Sequence, residues 1–464
     1  MAARPHAAAP APTTASSRPS PDALLGLFPP GTSTAPDGAL RIGGCHVGEL
    51  AARHGTPALL VDEGALRARA GRYADALAVR RPGSTVAFAS KAFPCTAVYR
   101  LLAEEGLGVD VASGGELALA LAAGTDPARV IVHGNAKTDA FLRAAVEARV
   151  GLVVIDNFDD IDRLERLLAE PAAATGSPAS DSGGPESRGQ TSGGYRQPVL
   201  VRVTPDIRPA THAAVSTGQR DSKFGLLVPQ AREAIARLRA SDRLRLDGLH
   251  VHIGSQILDT EPFVRAVTAV AELGTFPVYD LGGGLGARYT YDDRPPSVEA
   301  YLDALTAAAD ALLPAGARIV IEPGRSLVAE AGVSLYRVVT VKRAHGETFV
   351  AVDGGMGDNL EASLYGQRFE ATVATRPGDG AGGELCRVVG RHCESGDVLS
   401  AGVLLDDPRP GDLIAVPVTG AYTYALSNNY NAARRPPVVF CRDGRSRPVV
   451  RRETYADLMR RDLP

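Results

Sequence analysis

Four short runs carry side chains whose types and spacing suit chemistry. VAFASKAFP, residues 86–94, reads as a half-buried strand in which Lys91 stands where an apolar run should end in the core. HVHIGSQ, residues 250–256, sets His250 and His252 two residues apart, hence on one face of a strand. GGGLG at 282–286 and EPGR at 322–325 are glycine-containing turns, the second placing Glu322 close to Arg325. Each run also has a plain structural reading. Lys91 could pair with Asp110 or Glu116 in the core, the histidines could be satisfied core imidazoles or metal ligands, and the turns could simply need positive φ or carry a surface ion pair. Together they suit one chemistry. An amine with an ordinary pKa of about 10.4 is a poor nucleophile at neutral pH, and desolvation lowers that value so that it can form a Schiff base with a carbonyl cofactor. Pyridoxal phosphate demands a carboxylate at its ring nitrogen, a flat partner for its ring and backbone donors for its phosphate. Glu322, His252 and the amides around Gly284 and Gly324 supply them.

These residues need a scaffold that brings distant segments to one face. From about Pro57 to Ile321 short apolar runs (PALLVD, STVAFAS, GLGVDVAS, RVIVHG, GLVVID, PVLVRV, LDGLHVHIG, PVYDLGGG, RIVIEPG) alternate with helical periods such as EGALRARAGRYADAL. That alternation fits a doubly wound sheet or a (β/α)₈ barrel. Lys91, Asp110, His133, Arg202, His252, Gly282–Gly284 and Glu322 each fall at the C-terminal end of an expected strand, the face on which barrel enzymes build their sites, so the barrel is the expected architecture. A Gly/Ser/Pro/Ala-rich stretch at about 169–197 reads as a disordered insertion. Beyond about residue 331 β-type alternation takes over, and 331–464 is expected to form a mostly antiparallel β domain. Residues 37–56 are expected to join that domain, 57–330 to be the barrel, and 1–36 to be a disordered tail.

Composition narrows the partners. Fifty basic and 53 acidic residues give a formal net charge of -3 without charge blocks, which argues against nucleic acid or an anionic membrane and for a small-molecule substrate. The five scattered cysteines include no C-x-x-C pair, which argues against a disulfide framework or structural zinc and for a reducing, cytoplasmic compartment. No apolar run has membrane-spanning length.

The ordered set FASKAF, GLGVDVASGGEL, VHGNAK, STGQRDSKFG, GLHVHIGSQI, DLGGGLG, EPGRSLV, VDGGMGDN, HCESGD and ALSNNYNAARRPPVV resembles the diaminopimelate decarboxylase family, over nearly the whole chain from about residue 40. The resemblance implies a fold-type III pyridoxal-phosphate enzyme, related to ornithine and arginine decarboxylases and alanine racemase: an α/β fold with a (β/α)₈ TIM barrel and a C-terminal β domain, working as a homodimer with shared active sites. The implied reaction is decarboxylation of meso-2,6-diaminopimelate to L-lysine and carbon dioxide, the last step of lysine biosynthesis by that route.

Carried over by motif, Lys91 resembles the lysine that holds the cofactor, His252 the imidazole stacked on its ring, and Glu322 the carboxylate at its ring nitrogen. Asp110 is a further cofactor-side candidate; Ser255, Gly284, Gly324 and Tyr422 match phosphate-side positions, and Arg325 the substrate-carboxylate arginine. Cys393 resembles the proton donor and Glu394 the anchor for a substrate ammonium, both from the other subunit, while Tyr365 matches a further substrate contact. One departure stands out. Where the family carries an arginine that grips the distal carboxylate, GGMGDNLEASLYG holds Glu361. Three accounts follow: Arg325 with an arginine such as Arg368 compensates, Glu361 binds the distal ammonium, or the substrate is a related amino acid such as lysine, ornithine or arginine.

Overall fold

The computed structural model describes residues 24–170, 195–207, 222–377 and 383–463. The chain divides into two compact units, one of residues Arg67–Ala287 and Arg294–Val328, the other of the residues up to Leu66, Arg288–Asp293 and those from Ala329 on.

The first unit is a closed barrel of eight strands, β1 (Thr85–Ala89), β2 (Gly108–Val111), β3 (Val130–Val132), β4 (Leu152–Ile155), β5 (Gln197–Val203), β6 (Leu244–Val251), β7 (Val278–Asp280) and β8 (Arg318–Ile321). Each pairs in parallel with the next, and β8 closes onto β1 through Val320 opposite Thr85 and Ile321 opposite Val86. Ala87, Ile131, Leu152, Val154, Leu200, Val278 and Val320 fill the barrel interior, so the C-terminal strand ends rest on a packed apolar floor. Side-chain caps turn several strands into helices: Ser113 accepts the Glu116 N–H, Thr138 that of Phe141, Asn157 that of Asp160, and Ser297 that of Ala300.

Nine apolar runs precede residue 322, and the barrel uses eight of them. The strand Ala58–Asp62 corrects the expected 57–330 boundary: it pairs antiparallel with Gly332–Leu335 and parallel with Val438–Cys441, in the sheet of the other unit. All five of its residues are buried and a helix, Glu63–Arg80, follows it, so by pattern it matches a barrel strand.

In that second unit the long strand Gly332–Ala344 is the hub, pairing antiparallel with Glu347–Val352, Leu413–Pro417 and Ala58–Asp62. Residues 37–56 contribute Ala39, Leu40, Ile42, Val47 and Leu50 to a core shared with Val333, Leu335, Leu413 and Val439. The expected tail also needs correction. Residues 1–23 lie outside the described residues, whereas Leu27 and Phe28 are buried and Ser33–Thr34 pairs with Leu40–Arg41, because these apolar side chains have that core to pack on. Most of the expected 169–197 insertion, residues 171–194, likewise lies outside the described residues, but Gln197 is fully buried and opens β5.

One buried ion pair braces the mouth of the barrel. Lys137 Nζ donates to Asp160 Oδ2 at 2.5 Å and to the Gly134 carbonyl at 2.6 Å, and Asp160 Oδ2 also accepts the Asp156 N–H at 3.0 Å. Burial pushes the Lys137 ammonium below its ordinary range, against the pull of Asp160. Removing one partner leaves an uncompensated buried charge. Lys137→Met is expected to cost about 3–5 kcal/mol of unfolding free energy, read from the urea midpoint, and Lys137→Met/Asp160→Leu to recover most of it.

Candidate active site

Every barrel strand delivers a polar group to the C-terminal mouth. Lys91 lies in a single turn of 3₁₀ helix, Ser90–Ala92, directly after β1; Asp110 sits in β2; His133 follows β3; Asp156 follows β4; Arg202 lies in β5; His250 lies in β6 with His252 just beyond it; Asp280 ends β7; Glu322 follows β8. Register explains the convergence, since parallel strands of a closed barrel end side by side.

Glu322 is at the centre. Its Oε1 accepts a hydrogen bond from His133 Nε2 at 2.6 Å, and its Oε2 lies 3.3 Å from His250 Nε2. The two imidazoles meet edge to face, 4.7 Å between centroids at 67°. Burial alone would raise the Glu322 carboxyl, yet the contacts with His133 and His250 outweigh it and hold the group well below the usual carboxylate range. Its acidic neighbours go the other way. Burial first, and then the Glu322 charge, push Asp110 up to about 7 and Asp280 well above its ordinary value. Burial lowers His250 to about 3, so that ring is neutral.

His133, His250, Asp280 and Glu322 present ligand atoms within 4.8 Å of one another. The sequence offers His250 and His252 as a metal pair; the structure groups His250 with three other residues instead, and the short His133–Glu322 hydrogen bond already engages two of them.

The phosphate-side candidates form a cradle made of backbone. Gly282 and Gly284 have φ of +64° and +124°, and a Cβ at Gly283 would stand 2.0 Å from the Glu322 carbonyl oxygen. Gly282 N donates to Asp280 Oδ1, Glu322 N donates to the Gly282 carbonyl, and Ala89 N donates to the Pro323 carbonyl, which ties this loop to the EPGR turn and the Lys91 strand. At Gly324 a Cβ would meet that of Ala89 at 3.0 Å. Arg325, buried, donates from Nε to the Ser255 hydroxyl at 3.2 Å. Gly283 N donates to His252 Nδ1 at 3.2 Å, so the ring proton lies on Nε2, and burial followed by the charges of Lys91 and Arg202 holds this imidazole well below its ordinary pKa.

Lys91 itself departs from expectation. Ser90 and Ala92 are buried, but the Lys91 side chain is exposed, because the turn after β1 aims it out of the floor and into the mouth. The site residues that fit pyridoxal phosphate are thus a carboxylate kept ionised in the floor, a flat neutral imidazole, an accessible amine and a loop of amides that no side chain fills.

The remaining candidates lie in the second unit. Glu361 is buried, and the Tyr289 hydroxyl donates to its Oε2 at 3.4 Å. Tyr365 is half-buried at the end of the same short helix, Glu361–Tyr365, and Arg368 is exposed. Tyr422 has φ +57°. Cys393 and Glu394 are exposed; Cys393 N donates to Asn431 Oδ1 and the Tyr430 hydroxyl to Glu394. Most of STGQRDSKFG lies outside the described residues. Sequence reasoning gives Asp280 no role, although an acid directly before GGG at a strand end was the available signal, and it lists His133 only by position.

The family model for the pyridoxal binding domain of pyridoxal-dependent decarboxylases matches residues 63–329. Diaminopimelate decarboxylase of Actinosynnema pretiosum subsp. auranticum is 45% identical over 94% of this chain and 95% of its own, and that of Bacillus subtilis 41% over 92% and 96%. The crystal structure of diaminopimelate decarboxylase from M. jannaschii with L-lysine superposes with a TM-score of 0.83 at 29% identity, covering 94% of this chain and 98% of that one. Lysine/ornithine decarboxylase from Vibrio vulnificus, at 22% identity and a TM-score of 0.69, shares the fold.

The raised Asp110 pKa has a thermodynamic sign. An acid whose folded value, about 7, exceeds its ordinary 3.8 leaves stability intact below about pH 4 and erodes it as pH rises through 7. Asp110→Asn removes that erosion. Its stability relative to the wild type is expected to improve by a few kcal/mol between pH 4 and pH 8, read from denaturant midpoints at both pH values.

Proposed function

The chain belongs to the diaminopimelate decarboxylase family of pyridoxal-dependent decarboxylases, and from that premise we propose how its residues carry the reaction. The enzyme is a pyridoxal-phosphate-dependent decarboxylase that converts meso-2,6-diaminopimelate to L-lysine and carbon dioxide. The observation that carries this reading is Glu322, an ionised carboxylate in the barrel floor, on the same mouth as the Lys91 amine.

Bound in that mouth, pyridoxal phosphate supplies an aldehyde for an amine and a protonated ring that draws in the electron pair of the breaking carbon–carbon bond. Glu322 accepts the hydrogen bond of the ring nitrogen and so keeps it protonated. His252, neutral with its proton on Nε2, would offer the ring a flat partner without adding a competing positive charge. The amides of Gly284 and Gly324 and the Ser255 hydroxyl hold the phosphate. Lys91, accessible at the mouth, is the amine that would hold the cofactor aldehyde. Arg325 binds a substrate carboxylate. Tyr365 and Tyr422 complete the substrate and phosphate contacts, Glu394 takes a substrate ammonium, and the Cys393 thiol returns a proton to the α-carbon.

Cys393 and Glu394, exposed on their own unit, are read as serving the barrel of a second copy, which makes the working form a homodimer with shared sites. Among the described residues the five cysteines are free, and no helix is long and apolar enough to cross a membrane; we place the enzyme in the cytoplasm. Glu361 does not overturn the substrate. A buried carboxylate bonded to Tyr289 is compatible with a diaminopimelate site in which other groups take the distal end.

Two measurements test the reading. Borohydride reduction followed by peptide mapping is expected to place the pyridoxyl label on Lys91 and to find none in Lys91→Ala; a label on another lysine refutes the assignment. Steady-state carbon dioxide release is expected to favour meso-diaminopimelate over lysine, ornithine and arginine by at least about a hundredfold in kcat/KM, the scale of an unpaired buried polar group, and a preference for a cationic chain would overturn the substrate.

A further inference from the structure

Glu322 occupies a place that should neutralise it. It is buried, which opposes ionisation, and its charge in turn raises the two carboxyls beside it, Asp110 and Asp280. What opposes that burial is geometric. His133 Nε2 lies 2.6 Å from Oε1, and of the two histidines facing Glu322 it alone makes an aligned hydrogen bond, since His250 Nε2, 3.3 Å from Oε2, is left without one. His133 in turn has little freedom. Its N–H donates to the Val111 carbonyl at 2.8 Å, its ring packs edge-on against His250, and the next residue, Gly134, is held through its carbonyl by the buried Lys137–Asp160 pair.

We propose that His133 is a positioning residue for the cofactor ring: its aligned N–H fixes the orientation and the charge of Glu322, and through that carboxylate selects a cofactor ring that carries a nitrogen. The inference rests on the reading of Glu322 as partner of the ring nitrogen. Without His133 no aligned hydrogen bond offsets its burial, and the carboxyl takes up a proton. A protonated Glu322 no longer favours a protonated nitrogen over a C–H.

The test is competitive exchange on the holoenzyme. Wild type, Glu322→Gln, His133→Leu and His133→Gln are equilibrated with pyridoxal phosphate and its 1-deaza analogue, in which the ring nitrogen is replaced by C–H, and the two retained cofactors are quantified by mass spectrometry. The wild type is expected to prefer the nitrogen ring. Glu322→Gln is expected to lose that preference, and His133→Leu to reduce it by about tenfold or more, the scale of a hydrogen bond to a charged group. His133→Gln, which keeps an N–H donor, is expected to restore part of it. A purely structural role would weaken both cofactors alike and leave the wild-type ratio in His133→Leu, which refutes the inference while the Glu322 reading stands. An unchanged ratio in Glu322→Gln refutes that reading instead, and the inference with it. Should His133→Leu fail to fold, His133→Asn, too short to reach Glu322, is measured in its place with the same two outcomes.

Discussion

A single ionised carboxylate in an apolar floor sets the terms for the rest of the barrel mouth. Burying a charge costs far more than burying a neutral polar group, so the surroundings must either pair the charge or remove it. Around Glu322 they pair it, through His133 at 2.6 Å. Around Asp110 and Asp280 they work against it, since burial and the Glu322 charge raise both acids, Asp110 to about 7 and Asp280 well above its ordinary value. The three carboxyls lie close in space and behave differently because only one has an aligned imidazole. Divergent environments for like groups are a way to assign roles to them: the carboxylate held low is the one suited to stabilise a positive ring nitrogen.

The backbone does the complementary work. Where the phosphate candidates lie, side chains are excluded by contact distances and not by chance of composition. A Cβ at Gly283 would overlap the Glu322 carbonyl oxygen, so the GGG loop and the EPGR turn approach as only glycine allows. The same approach brings Gly283 N to His252 Nδ1, which decides the tautomer of that ring. A tight turn therefore has an electronic consequence: burial and the nearby positive charges keep the imidazole at the mouth neutral, and the backbone donor decides which nitrogen carries its one proton.

Much of this was legible in the sequence because chemistry at a barrel mouth follows strand ends. Lys91, Asp110, His133, Arg202, His252 and Glu322 are separated by up to 231 residues in the chain, and parallel register alone brings them together. Other features leave no local trace. Ala58–Asp62 is as apolar as a barrel strand, and only its partners, Gly332–Leu335 and Val438–Cys441, reveal the sheet it joins. The exposure of Lys91 depends on the direction of one turn, which the alternation of apolar residues does not encode. Glu361 reads as a free charge facing a substrate until Tyr289, 72 residues earlier, is seen to bond it.

The loop that carries Cys393 repeats the logic of the mouth in the second unit. Gly357 N donates to His392 Nε2 at 3.1 Å, so the proton of this ring lies on Nδ1, which reaches Asn431 Oδ1 at 3.2 Å. The same Asn431 oxygen accepts the Cys393 N–H, and Asp397 accepts the N–H groups of Met356 and His392. Asn431 is free to do this because its backbone takes φ of +53°, a conformation asparagine tolerates better than most residues. The Cys393 N–H is therefore held by Asn431 and the residue before it by Asp397 and Gly357, while Cys393 itself stays exposed. That combination suits the proton-donor role proposed for Cys393, since such a donor must arrive at one atom with little reorganisation yet remain open to the ligand it serves.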